Sequence, residues 1–177
     1  MLRRPAQAVT FPLSRDIKQL IAQMRQFIDE LASPYGKPAG LAAPQVGYAH
    51  QIIFFQIPPE AKGIRKDVFD TEPLTVLINP SFTPNVAAGK YKDWEGCYSV
   101  PDKMGEVERY NEITFQGFTE SGEKIQRTAR GLLARIIQHE IGHLNGELYI
   151  DLLTPDCRFG SQEEMWLLRK HNCEDKI

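Results

Sequence analysis

The order of the predicted elements indicates an α+β fold. Antiparallel or mixed β-sheets are expected to pack around a central helix that carries an HExxH motif, and a further helix is expected near each terminus. Apolar residues recur at helical spacing near both ends of the chain, and strand-like runs lie between them. Helices and strands do not alternate one by one, so a parallel βαβ fold is not expected. A chain of 177 residues suits one catalytic domain, predicted over residues 1–177.

The first helix is predicted to begin after Ser14, a residue type that commonly caps helix N-termini. Apolar residues then recur every three or four positions as far as Leu31. Residues 33–40 (SPYGKPAG) combine prolines and glycines that end a helix.

Strands are predicted in the middle of the chain. Residues 51–57 (QIIFFQI) resemble a buried strand, and residues 74–80 (LTVLINP) resemble a short strand ended by Pro80. A β-rich segment continues over residues 110–118, and residues 120–123 (ESGE) predict a hairpin turn into residues 124–130. The histidine-bearing helix follows.

Two capping signals bound the last helices. Asn145 and Gly146 are expected to end the histidine-bearing helix, because both residue types tolerate the left-handed conformation at a helix C-terminus. Ser161 and Glu164 have the spacing of a capping box, which predicts a short C-terminal helix.

Composition and charge exclude several classes of protein. The chain is 42% hydrophobic and 25% charged, which is typical of a globular protein. Its net charge is -2, and no nucleic-acid-binding motif or cluster of basic residues is present in the sequence. Three cysteines do not form a disulfide framework. Neither a signal peptide nor a bilayer-length apolar run is present, so a soluble cytoplasmic protein is expected.

The segment QHEIGH carries the strongest chemical signal. On a helix, His139 and His143 lie about 40° apart around the axis and about 6 Å apart along it, so both imidazoles can bind one ion. Glu140 projects about 100° away from His139, where it can contact a water molecule bound to the metal. The alternative is a chance match on a buried helix. Leu132 and Ile136 lie on the histidine side and are expected to line the site.

The third metal ligand remains open from spacing alone. A catalytic metal usually has three protein ligands and one open position. Cys97 is one candidate, and Glu147 and Asp151 after the helix are others. Cysteine by itself is more often a small buried apolar residue than a ligand.

Three segments in order resemble the motifs of the peptide deformylase family. They are residues 40–45 (GLAAPQ), 95–99 (EGCYS) and 138–143 (QHEIGH), against family forms of approximately GxGxAAxQ, EGCxS and QHExDH. The resemblance extends over nearly the whole chain. It implies that Cys97, His139 and His143 bind one divalent ion, expected to be Fe²⁺, with Ni²⁺, Co²⁺ or Zn²⁺ able to substitute.

The resemblance also implies the reaction. Deformylases hydrolytically remove the formyl group from the N-terminal formylmethionine of nascent polypeptides, and the ribosome exit region is a further expected partner. Metal-bound water would be the nucleophile and Glu140 the general base and then acid. The Gln45 amide and the Tyr98 backbone N–H would stabilise the oxyanion. The implied substrate contacts are Gly40, Leu41, Leu132 and Ile136, whereas Trp94 is interpreted as a packing residue.

Four positions differ from the family pattern. Pro38 replaces a glycine, Tyr98 replaces a leucine, and Met104 lies near a position where many members carry arginine. Gly142 replaces an aspartate that supports the site or a neighbouring arginine, for which Arg109 is the candidate. An active but divergent deformylase is therefore expected.

Two other functions are consistent with the histidine motif. An HExxH metallopeptidase would require neither Cys97 nor Gln45. A non-catalytic metal-binding relative of the deformylases would retain the ligands without turnover.

Overall fold

The computed structural model describes residues 1–31, 38–63, 65–165 and 167–168. Its helices and strands, in chain order, are α1 (Arg15–Glu30), β1 (Gly40–Ala42), β2 (Ile52–Ile57), β3 (Glu72–Pro84), β4 (Lys90–Cys97), β5 (Val100–Tyr110), β6 (Glu112–Phe118), β7 (Lys124–Arg130), α2 (Gly131–Leu144) and β8 (Phe159–Ser161). No helix within these residues combines the length and apolarity that a membrane span requires.

The strands form two antiparallel sheets. A five-stranded sheet has the order β1-β2-β3-β6-β7, and a three-stranded sheet has the order β4-β5-β8. Helix α2 contacts every strand of the larger sheet and also contacts β5 of the smaller one. The predicted α+β class with antiparallel sheets is thereby confirmed.

The larger sheet is covered on both faces, which explains the unbroken apolar run in β2. Ile52 and Phe54 pack in a cluster with the buried face of α1, whereas Ile53 and Phe55 pack in a cluster with α2. Successive side chains of a strand point to opposite faces, so an entirely apolar strand fits between two helices. The same alternation directs the Leu41 side chain toward α1 and that of Ala42 toward α2.

Helix α1 begins and ends close to the predicted positions. The Ser14 hydroxyl accepts a hydrogen bond from the Ile17 N–H at 3.3 Å, so the predicted N-cap is confirmed. Residues 32–37, which include most of the predicted break after this helix, lie outside the described residues.

The prediction that the strand after residue 74 ends at Pro80 was wrong. Strand β3 continues to Pro84, and its pairing with β6 shifts register between Ile78 and Ser81. Asn79 has a φ of 50° at this irregularity. Proline cannot donate to the ladder, and a β-bulge accommodates it without ending the strand.

The remaining predicted boundaries agree with the structure where it describes them. Strands β6 and β7 pair as a hairpin, and α2 ends before Asn145 and Gly146, the latter with a φ of 80°. Ser161 and Glu164 form the predicted capping box, in which the Ser161 N–H donates to Glu164 Oε2 at 3.1 Å and the Glu164 N–H donates to Ser161 Oγ at 3.3 Å. Residues 162–165 and 167–168 are helical, and the rest of the predicted C-terminal helix lies outside the described residues.

Candidate metal centre

Three potential metal ligands converge where β4 ends beside α2. The Sγ of Cys97 lies 3.3 Å from Nε2 of His143, which lies 3.2 Å from Nε2 of His139. These three ligand atoms all lie within 4.8 Å of one another. Of the other two candidates, Asp151 binds Arg3 and the Leu148 N–H instead. Glu147 is not in the cluster either, so the geometry favours Cys97 as the third ligand.

The register of β4 explains how Cys97 reaches the histidines. β4 pairs regularly with β5 as far as Gly96, and the register then shifts so that Cys97 pairs with Val100. The tight turn that follows brings the Ser99 N–H to 3.4 Å from the Cys97 sulfur. The turn therefore holds the Cys97 sulfur at the end of β4, facing α2.

Glu95 fixes the orientation of the first histidine. One carboxylate oxygen of Glu95 lies 2.8 Å from Nδ1 of His139, so Nε2 of that ring points toward Cys97 and His143. Arg109 binds both carboxylate oxygens at 2.9 and 3.0 Å, and Arg135 binds one of them at 2.7 Å. These partners outweigh the effect of burial and hold the pKa of Glu95 well below its usual range.

The two histidines differ in electrostatic environment. Burial lowers the pKa of His139, but hydrogen bonds to Cys97 and Glu95 outweigh it and raise that pKa to about 10. Burial, together with the neighbouring charges of His139 and Arg109, lowers the pKa of His143 to about 3. The sulfur of Cys97 and the imidazole nitrogens of His139 and His143 form a donor set that fits a divalent transition metal, and binding of such an ion would release the proton that His139 otherwise carries.

Glu140 is buried beside this cluster. Its Oε2 atom has no partner among the described residues, and burial raises its pKa to about 7. The carboxyl group packs directly against the backbone of Gly40, where a Cβ atom would lie 2.3 Å from Glu140 Oε1. Gly40 thus provides the space that Glu140 occupies, in addition to any role in binding substrate.

Gln45 faces the same cluster from a short 3-10 turn, Ala43–Val46, that follows β1. Its side-chain oxygen accepts a hydrogen bond from the Ala42 N–H at 2.8 Å, which directs the amide nitrogen toward Ser99 Oγ at 3.2 Å and Cys97 Sγ at 3.5 Å. An N–H donor is therefore fixed beside Cys97. The backbone N–H of Tyr98 makes no hydrogen bond to any described residue.

A cavity of about 170 Å³ opens beside Cys97, His139 and Glu140. Three of the predicted substrate contacts, Gly40, Leu132 and Ile136, line it. Leu41 is not among the residues that line the cavity. It is only 1% exposed, and its side chain packs on the α1 side of the sheet, so only its backbone can face the cavity.

Four residues at or near the cavity mark the limits of sequence reasoning. Trp94, interpreted as a packing residue, lines the cavity together with Arg135 and Glu95, for which no role was predicted. The position of Arg135 among the apolar residues of α2 could have predicted a buried charge with a partner. The motif EGCYS contains Glu95, but it does not indicate which residues bind the Glu95 carboxylate. Pro38 also lines the cavity, and its carbonyl accepts a hydrogen bond from Gln56 at 2.8 Å.

Comparisons with known proteins agree on one family. The family model described as polypeptide deformylase matches residues 1–159. Peptide deformylase 2 of Rickettsia conorii is 37% identical over 177 residues, which cover 99% of this chain and 85% of that protein. Peptide deformylase 2 of Pseudomonas syringae is 37% identical over 153 residues, with 86% and 80% covered.

Solved structures give the same result. The class I type b peptide deformylase from Acinetobacter baumannii bound to Met-Ala-Ser has a TM-score of 0.71 and 29% identity, covering 86% of this chain and 91% of that one. A Plasmodium falciparum peptide deformylase in complex with an inhibitor has a TM-score of 0.68 and 29% identity, covering 96% and 89%. Since a family model, close relatives and solved folds agree over most of the length, the chain belongs to the polypeptide deformylase family.

Proposed function

We propose that this chain hydrolytically removes the formyl group from the N-terminal formylmethionine of nascent polypeptides. The observation that carries the proposal is the convergence of Cys97, His139 and His143 beside a buried carboxylate, Glu140, that has no hydrogen-bond partner among the described residues. A metal-dependent hydrolase needs both parts, a ligand set and a nearby base. The neighbour from Acinetobacter baumannii binds Met-Ala-Ser, the kind of peptide that deformylation leaves.

Cys97, His139 and His143 would hold one divalent ion, with Glu95 fixing the ring of His139. Fe²⁺ is the expected ion, and Ni²⁺, Co²⁺ or Zn²⁺ would substitute because the donor set does not distinguish sharply among them. When bound, the ion polarises the formyl oxygen and lowers the pKa of water.

Glu140 would transfer the proton. A water oxygen forms a bond to the formyl carbon while its proton passes to the unpartnered Oε2 of Glu140. The same proton then moves to the amine nitrogen as the carbon–nitrogen bond breaks, which releases formate and a free amino terminus. A carboxyl group whose pKa is raised to about 7 can both accept and return a proton near neutral pH.

Gln45 and Tyr98 would stabilise the negative oxygen that develops on the formyl group. The Gln45 amide nitrogen is already held beside Cys97, and the Tyr98 N–H adjoins the same residue without an acceptor among the described residues. Donors that are oriented before the reaction stabilise the transition state without a reorganisation cost.

The substrate would bind along β1. This strand is at the edge of the five-stranded sheet, so a peptide backbone can pair with the free edge beside Gly40 and Leu41. The methionine side chain would enter the cavity lined by Leu132 and Ile136.

The wider assignments rest on family membership and the fold. Residues 1–177 would form a single catalytic domain in which α2 is the central HExxH helix. The protein would act in the cytoplasm, near the ribosome exit region where nascent chains emerge. Met104 packs against Gly96 beside the metal centre, near a position where many family members carry arginine. This difference would alter the preference of the enzyme for peptide residues that follow the formylmethionine.

The test is formate release from formyl-Met-Ala-Ser by protein purified anaerobically and loaded with Fe²⁺ or Ni²⁺. Wild-type protein should release formate, and Cys97→Ala should lose both metal and turnover. No formate from fully loaded wild type would contradict the proposal and favour a non-catalytic metal-binding protein. Metal binding that survives Cys97→Ala, with cleavage of internal peptide bonds, would favour an HExxH metallopeptidase.

A further inference from the structure

The end of α2 places a glutamate against a glycine of the metal-binding helix. The Glu147 N–H donates to the Gly142 carbonyl at 2.9 Å and the Gly146 N–H donates to the His143 carbonyl at 3.2 Å. With Gly146 at a φ of 80°, this is a Schellman motif, which brings the residue after the turn back onto the last turn of the helix. A Cβ atom at Gly142 would lie 3.0 Å from Glu147 Oε1, so the carboxylate lies in the space that a side chain at position 142 would fill.

This position brings Glu147 to Arg109. Glu147 Oε1 lies 3.7 Å from Nη1 of Arg109, whose side chain is only 7% exposed. Arg109 in turn binds both oxygens of Glu95, and Glu95 binds His139. A continuous chain of charged contacts therefore leads from the half-exposed Glu147 to a metal ligand.

The charges of this chain explain what Glu147 adds. Arg109 and Arg135 are both buried, and apart from Glu147 the only carboxylate that contacts either of them among the described residues is Glu95, so two guanidinium charges share that one carboxylate next to a site for a divalent cation. An excess positive charge in a buried region repels a bound cation, and salt screens this repulsion only weakly because the charges are shielded from solvent. Glu147 supplies the second carboxylate and balances the cluster.

We propose that Glu147 is a positioning residue of the metal centre that strengthens metal binding by holding Arg109 in place and balancing its charge. Glu147 can occupy this position because Gly142 has no side chain. This rests on the metal centre of the proposed function. It also gives a role to Gly142, the position at which this chain departs from the family pattern within the metal-binding helix.

The experiment measures Co²⁺ affinity by competition with a chelator, followed by the thiolate-to-cobalt absorption band that Cys97 should produce. Four variants are compared with wild type: Glu147→Gln, Gly142→Ala, the double variant, and Glu123→Gln as a control. Glu123 lies exposed in the β6–β7 turn, so its change removes one negative charge away from the site. The free energy of unfolding of each metal-free protein is measured in parallel.

Glu147→Gln is expected to weaken Co²⁺ affinity about 3- to 10-fold, at the lower limit for residues that support a metal ligand, because Glu147 is partly exposed. Gly142→Ala should weaken it about 2- to 3-fold by displacing the carboxylate. It should not lower stability, since alanine favours a helix more than glycine does. The double variant should match Glu147→Gln, because no carboxylate then remains to be displaced.

Two results would overturn the inference. One is a Co²⁺ affinity of Glu147→Gln equal to that of the Glu123→Gln control. The other is a double variant whose loss equals the sum of the two single losses. A wild-type protein without the thiolate band would instead refute the metal centre itself, so the two failures are distinguishable.

Discussion

Two buried carboxylates, Glu95 and Glu140, line the same cavity as His139, and their surroundings are opposite. Glu95 receives hydrogen bonds from Arg109 and Arg135 and binds the His139 ring, and its pKa is well below the usual range. One oxygen of Glu140 has no partner in the part of the chain that the structure describes, and burial raises the pKa of this group to about 7. The same chemical group is thus held ionised against the His139 ring in one place and can exchange a proton near neutral pH in the other.

The difference originates in the elements that face each carboxylate. Glu95 contacts His139 and Arg109, whose hydrogen bonds and charges outweigh burial and lower its pKa, and it also accepts a hydrogen bond from Arg135. Glu140 faces β1, where Gly40 contributes only backbone to the contact. A carboxylate with no cationic partner in contact and little solvent is stabilised in its neutral form, which raises its pKa.

The largest expected effect is that of Glu140→Gln. Glutamine preserves the shape but cannot accept the proton, so kcat for formate release should fall about 10²- to 10⁴-fold. Metal content, measured by elemental analysis, should stay at the wild-type level because Glu140 is not in the ligand cluster. A kcat within tenfold of wild type would remove Glu140 from the proton-transfer role.

Glu95→Gln should affect the other side of the comparison. It leaves Arg109 and Arg135 buried without a full counter-charge, which should lower the free energy of unfolding by about 3–5 kcal/mol. Metal affinity should also fall about 10- to 100-fold, since the ring of His139 loses its anionic partner. Denaturant unfolding and chelator competition measure the two effects.

The matched control for Glu95→Gln is Glu120→Gln, which breaks the exposed ion pair with Arg25. That variant should lose less than about 1 kcal/mol. Equal losses in both variants would show that the charges around Glu95 are no more important than those of an ordinary surface pair.

Gly40→Ala tests the space around Glu140. The new Cβ would overlap the carboxyl group, and a displacement of about 1 Å can reduce turnover on the order of 10²-fold. Metal content should again be unchanged. If kcat stayed at the wild-type value and kcat/KM fell only through a higher KM for peptides, Gly40 would serve the substrate rather than Glu140.

Arg135→Lys should have the smallest effect. Arg135 donates to Glu95, the Val107 carbonyl and the Tyr91 carbonyl, and lysine cannot reproduce this planar set of donors. Glu95 keeps Arg109, so the loss in the free energy of unfolding should be about 1–2 kcal/mol. A loss as large as that of Glu95→Gln would show that Arg135, rather than Arg109, is the main partner.

The sequence predicted the parts of the site that depend on local spacing. Helical geometry placed His139 and His143 on one side of α2 with Glu140 beside them, and the structure has them there. The third ligand was left open by spacing and required resemblance, because Cys97 reaches the histidines only through the pairing of distant strands.

Sequence reasoning missed features that depend on tertiary contacts. Glu95 and Arg135 are 40 residues apart, and no periodicity relates a carboxylate in one sheet to a guanidinium on a helix. Pro80 was expected to end β3, but an irregularity in the pairing with β6 accommodates it. Leu41 stays a predicted substrate contact, but the alternation of side chains along β1 directs its side chain to the α1 face, so any contact there would use its backbone.

The contact between Gly40 and Glu140 has a consequence for drug resistance. A compound that lies along β1 would pass over residue 40, and enlarging that residue is the simplest way for a target to exclude it. Here the same enlargement would displace the carboxylate of Glu140, for which we propose the proton-transfer role. Resistance at this position would therefore require a second, compensating change 100 residues away in the chain, which makes it a durable surface against which to design inhibitors.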